Sequence, residues 1–421
     1  MKKKKLRQKE KHNKRKPLLV FLLTLSTVVV TGLSVMLIYR IITGKETVSA
    51  SAEGEKEEFH FFWEEIPQEK EEEQAADAAR YGAELADEEY RKANNIYVKD
   101  NKKEGIVSLG FVGDILLDDE YAVMANLLRR GVSIENGISE ALLAQMQNVD
   151  IMTANNEFAF TNRGSALQDK AYTFRADTDT VSYLTDMGID MAVLANNHIY
   201  DFGETGLLDT LDTLENAGIP YVGAGRNIEE AAAPVYFISG DIKIAFIAAT
   251  QIERLDNPDT RGADENTPGV FRCWNPERLY EVIADANANS DFVVVYIHWG
   301  TENEEKPDWA QLAQAPEMAE AGADLIIGDH PHCLQGIQYF GKTPVIYSLG
   351  NFWFNSKTVD TCMVQVDISR DGLEAFRFIP AIQEDSRTDL AYGSDKERIL
   401  SYMRGLSEGA EIDEDGYVLP R

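Results

Sequence analysis

The chain has 421 residues and a formal net charge of −30, from 71 acidic against 41 basic side chains. That acidity disfavours nucleic acid as a partner, and a sparse, odd set of three cysteines argues against a disulfide framework. The length leaves room for one large domain with appendages.

The charge is unevenly spread. Residues 1–16, MKKKKLRQKEKHNKRK, form a basic tail with ten Lys/Arg and one Glu. Residues 17–39, PLLVFLLTLSTVVVTGLSVMLIY, carry no charge in 23 positions. As a helix this run would be about 35 Å long, enough to cross a hydrocarbon core of roughly 30 Å. We therefore expect one transmembrane signal anchor within 17–43. The basic tail would be cytoplasmic and the remainder extracytoplasmic, at a cell membrane. A cleaved signal peptide is the rival reading, because Ala50-Ser51-Ala52 resembles a cleavage site. Its apolar core would normally run only about 7–15 residues. No cysteine follows closely, which disfavours a lipid anchor.

Residues 44–104 read as an acidic linker, partly helical or disordered. An aromatic stretch, Phe59-His60-Phe61-Phe62-Trp63, interrupts it, and residues 74–93 are rich in helix formers. Folded sequence is expected from 105 to 390, with an acidic extension over 391–421. Strands are expected at 107–116, 149–157, 189–198 and 292–300. ADLIIGDHPH and TPVIYSLGNF should each form one more. Helices are expected at 138–146, 205–218 and 307–322, the last interrupted by Pro316. Gly240-Asp241 and Asp371-Gly372 mark hairpins. Strands mixed with helices imply a layered α/β fold, and the hairpins exclude a purely parallel sheet.

Four of the six histidines, His198, His298, His330 and His332, stand where an apolar run turns polar. Strand ends are where α/β folds place ligands. His330-Pro331-His332 should point both imidazoles to one face if the strand continues through them. Asp114, Glu157 and Asn197 end other strands. Together Asp114, Glu157, Asn197, His298, His330 and His332 offer mixed nitrogen and oxygen ligation for divalent ions, with Glu157 as a bridge. Two such ions would polarise a substrate oxygen and acidify a bound water. Asn196, Glu302 and Gln335 would support these ligands, with Trp299 and Glu302 orienting His298. Arg163, Lys170 and Arg175 could clamp a carboxylate or form ordinary ion pairs. Cys333 reads as a small buried residue, and Phe352 and Trp353 as core.

GDILL, NNE, ANNHIYDFGETGLLDT, HWGTE, GADLIIGDHPHCLQ and YSLGNF occur in this order. The set resembles the CapA-type poly-γ-glutamate capsule biosynthesis proteins over residues 107–381. That family is similar to the calcineurin-like metallophosphoesterases. The resemblance implies a four-layer α/β/β/α sandwich of two mixed sheets, with one or two divalent ions (Mn, Zn, Fe or Mg). It implies His198 as the general acid or transition-state stabiliser; Asp201 would orient it or cap the next helix. Leu116 stands where classical phosphoesterases carry the histidine of D-x-H, which weakens one metal subsite. The implied partners are poly-γ-glutamate or another acidic polymer, and membrane capsule-synthase subunits. The implied activity is a metal-dependent hydrolase or transferase. A non-catalytic scaffold and a cell-surface metallophosphoesterase are the other readings.

Overall fold

The computed structural model describes residues 80–252 and 260–421. The basic tail, the apolar run and the aromatic stretch lie outside the described residues. Among the described residues no helix is long and apolar enough to cross a membrane.

The apolar runs form strands buried on both faces, which is why they read as nearly continuous rather than alternating. We number the strands of the two large sheets β1 (Ile96–Lys99), β2 (Val107–Ile115), β3 (Ile151–Asn156), β4 (Met191–Val193) and β5 (Tyr221–Val222). β6 (Val235–Ser239), β7 (Ile242–Thr250), β8 (Phe292–His298), β9 (Leu325–Asp329) and β10 (Ile337–Phe340) follow. The last are β11 (Thr343–Ile346), β12 (Asn351–Trp353), β13 (Val359–Ser369), β14 (Gly372–Glu384) and β15 (Arg387–Leu390). One sheet has seven strands in the order β1-β6-β7-β8-β9-β11-β10. The other has eight, β15-β14-β13-β2-β3-β4-β5, with β12 alongside β2. Both are mixed. β6–β7 and β13–β14 are the two expected antiparallel hairpins.

Period two sorts each strand between two cores. In β8, Phe292, Val294 and Tyr296 face the space between the sheets, where they meet Phe111, Val364 and Val366. Val293, Val295 and Ile297 face the other way, onto α1 (Glu277–Asn289) and α2 (Trp309–Ala321). The eight-stranded sheet does the same, with Leu142, Leu207 and Leu211 covering its outer face. Three apolar layers therefore separate four layers of secondary structure, helix–sheet–sheet–helix.

Several local expectations are corrected. The strand expected through His332 ends at Asp329, and His330 and His332 have φ of +98° and +57°. Backbone in that region cannot continue a strand. TPVIYSLGNF divides into β11 and β12, one in each sheet, so this segment crosses between them. Pro316 sits inside an unbroken α2; the carbonyl it leaves unpaired belongs to Leu312, which is exposed, so water can serve it. Ordered chain begins before residue 105, because β1 pairs in parallel with β6. The expected extension also packs: helix α3 (Gly393–Leu406) places Ile399, Leu400 and Met403 in the core between the sheets.

Candidate metal centre

The parallel strands β2, β3, β4, β8 and β9 end along one edge of the two sheets. Their inward-facing positions carry the polar residues. β3 brings Asn155 and then Glu157 to the side of Ile151. β8 brings His298 to the side of Tyr296, and β9 brings Asp329 to the side of Ile327. Asp114 would face outward by simple alternation with Val112. A bulge at Gly113, where Val112 pairs Ala154 but Asp114 pairs Asn155, turns it inward. Only glycine fits there, since a Cβ would lie 1.9 Å from the Gly350 carbonyl oxygen.

The six expected ligands converge. His298 Nε2 lies 2.8 Å from Asn197 Oδ1, 3.1 Å from His330 Nδ1 and 3.6 Å from Glu157 Oε1. His332 Nδ1 lies 3.1 Å from Asp114 Oδ2. Glu157, His298 and His330 form one ligand group, and Asp114, Glu157 and His332 a second, each with its atoms within 4.8 Å. Glu157 belongs to both, the position of a bridging carboxylate.

The electrostatics fit a cation. Glu157 is wholly buried, and neither of its oxygens has a hydrogen-bond partner. Burial, then the Asp114 and Asp329 carboxylates, push it well above the usual carboxylate range. Burial also pushes Asp329 up, with Asp114 adding to it. His298 and His330 are held well below the usual imidazole range, first by burial and then by neighbouring imidazoles. They are thus neutral, the form that ligates. For His332 burial opposes charge, but Asp114 overcomes it and the net direction is upward. A buried Glu157 without a donor, facing neutral imidazoles, is what a divalent ion resolves.

The supporting residues divide. Asn196 donates to Asn155 Oδ1 and the Asn156 carbonyl, each at 3.0 Å, and its own oxygen receives the His198 and Ile199 amides. It thereby fixes the turn that carries Asn197 and His198. Asp201 accepts from His198 Nδ1 at 2.7 Å and from the Phe174 amide. It therefore orients the imidazole, which the Phe174 ring flanks at 4.3 Å between ring centres, tilted by 36°. Asp201 caps no helix: the following helix, Gly203–Ala217, has no side-chain cap. Glu302 is exposed, and its charge bears on His332, not His298. Trp299 donates to the Tyr347 carbonyl and makes no hydrogen bond to His298. Gln335 contacts no ligand; it ties the Glu304 and Lys306 carbonyls to Gln311.

The basic clamp is not assembled. Lys170 is buried against Asp201 at 2.5 Å and bonds the Asn197 carbonyl. Arg163 pairs with Asp209, and the Arg175 guanidinium lies 4.8 Å above the Phe202 ring. Each spends its charge on a different partner. Cys333 is only half-buried, its thiol directed at the Glu304 carbonyl. None of the cysteines forms a disulfide. Phe352 and Trp353 are core, as expected.

Besides Asn351, which lies against His332, two polar residues of the centre were not singled out from the sequence. Asn155 donates to Asp114 Oδ1 at 2.7 Å. Asp329 receives the Tyr296 hydroxyl, while its Oδ1 is unpartnered. Position alone could have marked both, since each continues the inward parity of its strand.

Fold and site thus define a two-sheet α/β protein with a buried acid, amide and imidazole centre fit for divalent metal. The chain belongs to the family described as bacterial capsule synthesis protein PGA_cap, whose model matches residues 108–356. It is 31% identical to the PGA biosynthesis protein CapA of Bacillus subtilis (strain 168), over 66% of this chain and 72% of that one. It is 30% identical to the capsule biosynthesis protein CapA of Bacillus anthracis, over 74% and 76%. Among solved structures, it aligns with TT1561 of Thermus thermophilus at 10% identity and TM-score 0.35, covering 64% of this chain and 97% of that one. It also aligns with the 5'-nucleotidase of Candida albicans at 9% identity and TM-score 0.36, covering 67% and 53%.

Proposed function

We propose that this chain acts in capsule poly-γ-glutamate synthesis or release as a metal-dependent hydrolase or transferase at an amide bond. The name of the Bacillus subtilis relative, a PGA biosynthesis protein, supports the polymer, and that of the Bacillus anthracis relative supports the capsule. The observation that carries the chemistry is Glu157, a buried carboxylate without a donor between two ligand groups. Asp114, Glu157, Asn197, His298, His330 and His332 hold the metal, which is Mn, Zn, Fe or Mg. When bound, it supplies Lewis-acid polarisation of the substrate carbonyl and acidification of water. His198 would give the proton on Nε2, which lies 3.9 Å from Glu157, to the leaving nitrogen as the C–N bond breaks, and recover one from the water that adds to the carbonyl carbon. Asp201 holds the opposite ring nitrogen and so fixes the tautomer, and Lys170 balances the Asp201 charge. The uncharged run at 17–39 anchors the domain outside the cell membrane, beside the capsule synthase subunits.

A scaffold role is the second reading. It is favoured by Leu116, whose buried side chain in the helix-side core leaves the Asp114 group without a further imidazole.

The test is metal analysis of the purified full-length chain, followed by incubation with γ-linked glutamate oligomers. We expect stoichiometric divalent metal, and oligomer cleavage or transfer lost in Glu157→Gln and reduced about 10²–10⁴-fold in His198→Ala. Metal binding without turnover selects the scaffold. Turnover of a chromogenic phosphodiester alone selects a phosphoesterase. Protease treatment of intact cells should digest the domain but spare the tail; an inaccessible domain would refute the anchoring.

A further inference from the structure

The ligand group of Asp114, Glu157 and His332 has an additional oxygen donor. Asn351 opens β12 and lies directly beside Asp114 in the β12–β2 pairing. The residue is 3% exposed. Asn351 Oδ1 is 2.8 Å from His332 Nδ1, and Asp114 Oδ2 is 3.1 Å from the same nitrogen. Two buried oxygens thus converge on one ring nitrogen, beside a carboxylate, Glu157, that has no donor of its own. One ring hydrogen serves two acceptors poorly, whereas a cation accepts both oxygens and the nitrogen together.

We propose that Asn351 Oδ1 is the fourth protein ligand of this subsite, making it richer in oxygen than its neighbour. The proposal rests on the metal-centre reading above. The subsite would draw on Asp114, Glu157, Asn351 and His332, one nitrogen among oxygens. The Glu157, Asn197, His298 and His330 subsite has two nitrogens. Carboxylate and amide oxygens suit hard ions such as Mn²⁺ or Mg²⁺, and imidazole suits Zn²⁺ or Fe²⁺. The two subsites therefore differ in preference, and the Asn351 subsite is the selective one for Mn²⁺ over Zn²⁺. The fold supplies the residue through the crossing between β11 and β12, which carries the chain from one sheet to the other and sets Asn351 on β2.

The experiment is a Mn²⁺ titration of the metal-free full-length protein, followed by calorimetry and by the electron paramagnetic resonance spectrum of bound Mn²⁺. Wild type, Asn351→Ala and Asn351→Asp are compared, each first checked by thermal melt without metal. We expect wild type to bind Mn²⁺ at two sites. Asn351→Ala should raise the Kd of one site by more than about 10–100-fold, the range usual for losing a group that only supports a ligand. Asn351→Asp, which restores an oxygen of the same shape, should return that Kd to the wild-type range or below. Two sites in wild type with both unchanged in Asn351→Ala would overturn the Asn351 assignment and leave the metal centre standing. So would equal losses in Asn351→Ala and Asn351→Asp. If Asn351→Ala fails the melt, Asn351→Asp against wild type decides: a tenfold weaker site overturns the assignment, and an unchanged or tighter one supports it. Wild type that binds no Mn²⁺, Zn²⁺ or Fe²⁺ would overturn the metal centre itself.

Discussion

Lys170 illustrates how one side chain's partners decide its role. As a basic residue in an acidic chain it could meet a substrate carboxylate. Instead its side chain is 7% exposed, and its ammonium sits against a fully buried Asp201. Removing one partner of a buried pair leaves the other charge uncompensated, at a cost of about 3–5 kcal/mol. Lys170→Met should therefore lower the unfolding free energy by that order, and Lys170→Met with Asp201→Asn should recover part of it. A substrate clamp would instead change substrate binding and leave the denaturation midpoint where it was. Arg163 gives the corresponding surface case. Its hydrogen bond holds the Asp209 carboxyl below the usual range, against an opposing effect of burial. A depressed acid contributes stability above its unfolded value, about 3.9, and loses it as pH falls through the folded value. The melting-temperature difference between wild type and Arg163→Ala should thus be small but present at pH 7 and vanish in acid. A difference that persists at pH 2 would show that packing, not charge, is responsible.

At the scale of elements, the site depends on places where regular structure stops. Gly113 adds one residue to β2 and reverses the side on which Asp114 emerges. Gly113→Ala drives a Cβ into the Gly350 carbonyl, backbone against backbone, so neither strand can yield cheaply. We expect a loss of about 2–3 kcal/mol or more in chemical denaturation, together with weakened metal binding because β2 must shift. His330 and His332 depend on the same principle. Their positive φ angles cost of order 1–3 kcal/mol each and persist only because the surroundings hold them. The strained backbone brings the two ring centres within 5.8 Å, facing β2 and β8. The H-x-H spacing pointed to two residues that converge on the centre, but through strand alternation, which the backbone does not follow there.

For the whole molecule, the sheets and their order follow from where apolar side chains can be buried. Most strands were legible because a strand covered on both faces reads as an uninterrupted apolar run. β1 was not legible: it is short, edge-placed and half exposed, so it lacks that signature. Nor was α3, whose charged sequence hides three core residues. Ending the chain at residue 390 would uncover the core beneath Ile399, Leu400 and Met403. Each such side chain contributes about 1.5–3 kcal/mol, so the truncated chain should be insoluble or melt far lower. Leu400→Ala in the full chain should cost about 2–5 kcal/mol. A truncated chain with the wild-type melting temperature would make the C-terminal segment a true appendage.

The sequence by itself determined most of the strands, the two hairpin turns, the family and the six ligand candidates, because each depends on local pattern or on motifs that stay together along the chain. Only the tertiary structure decided which polar groups meet. Asn155 and Asp329 joined the centre, while Arg163, Arg175 and Glu302 went elsewhere, because a side chain's charge is taken by whichever partner folding brings within about 3–4 Å. That distance is set by packing two sheets whose strands lie far apart along the chain, and no local pattern encodes it.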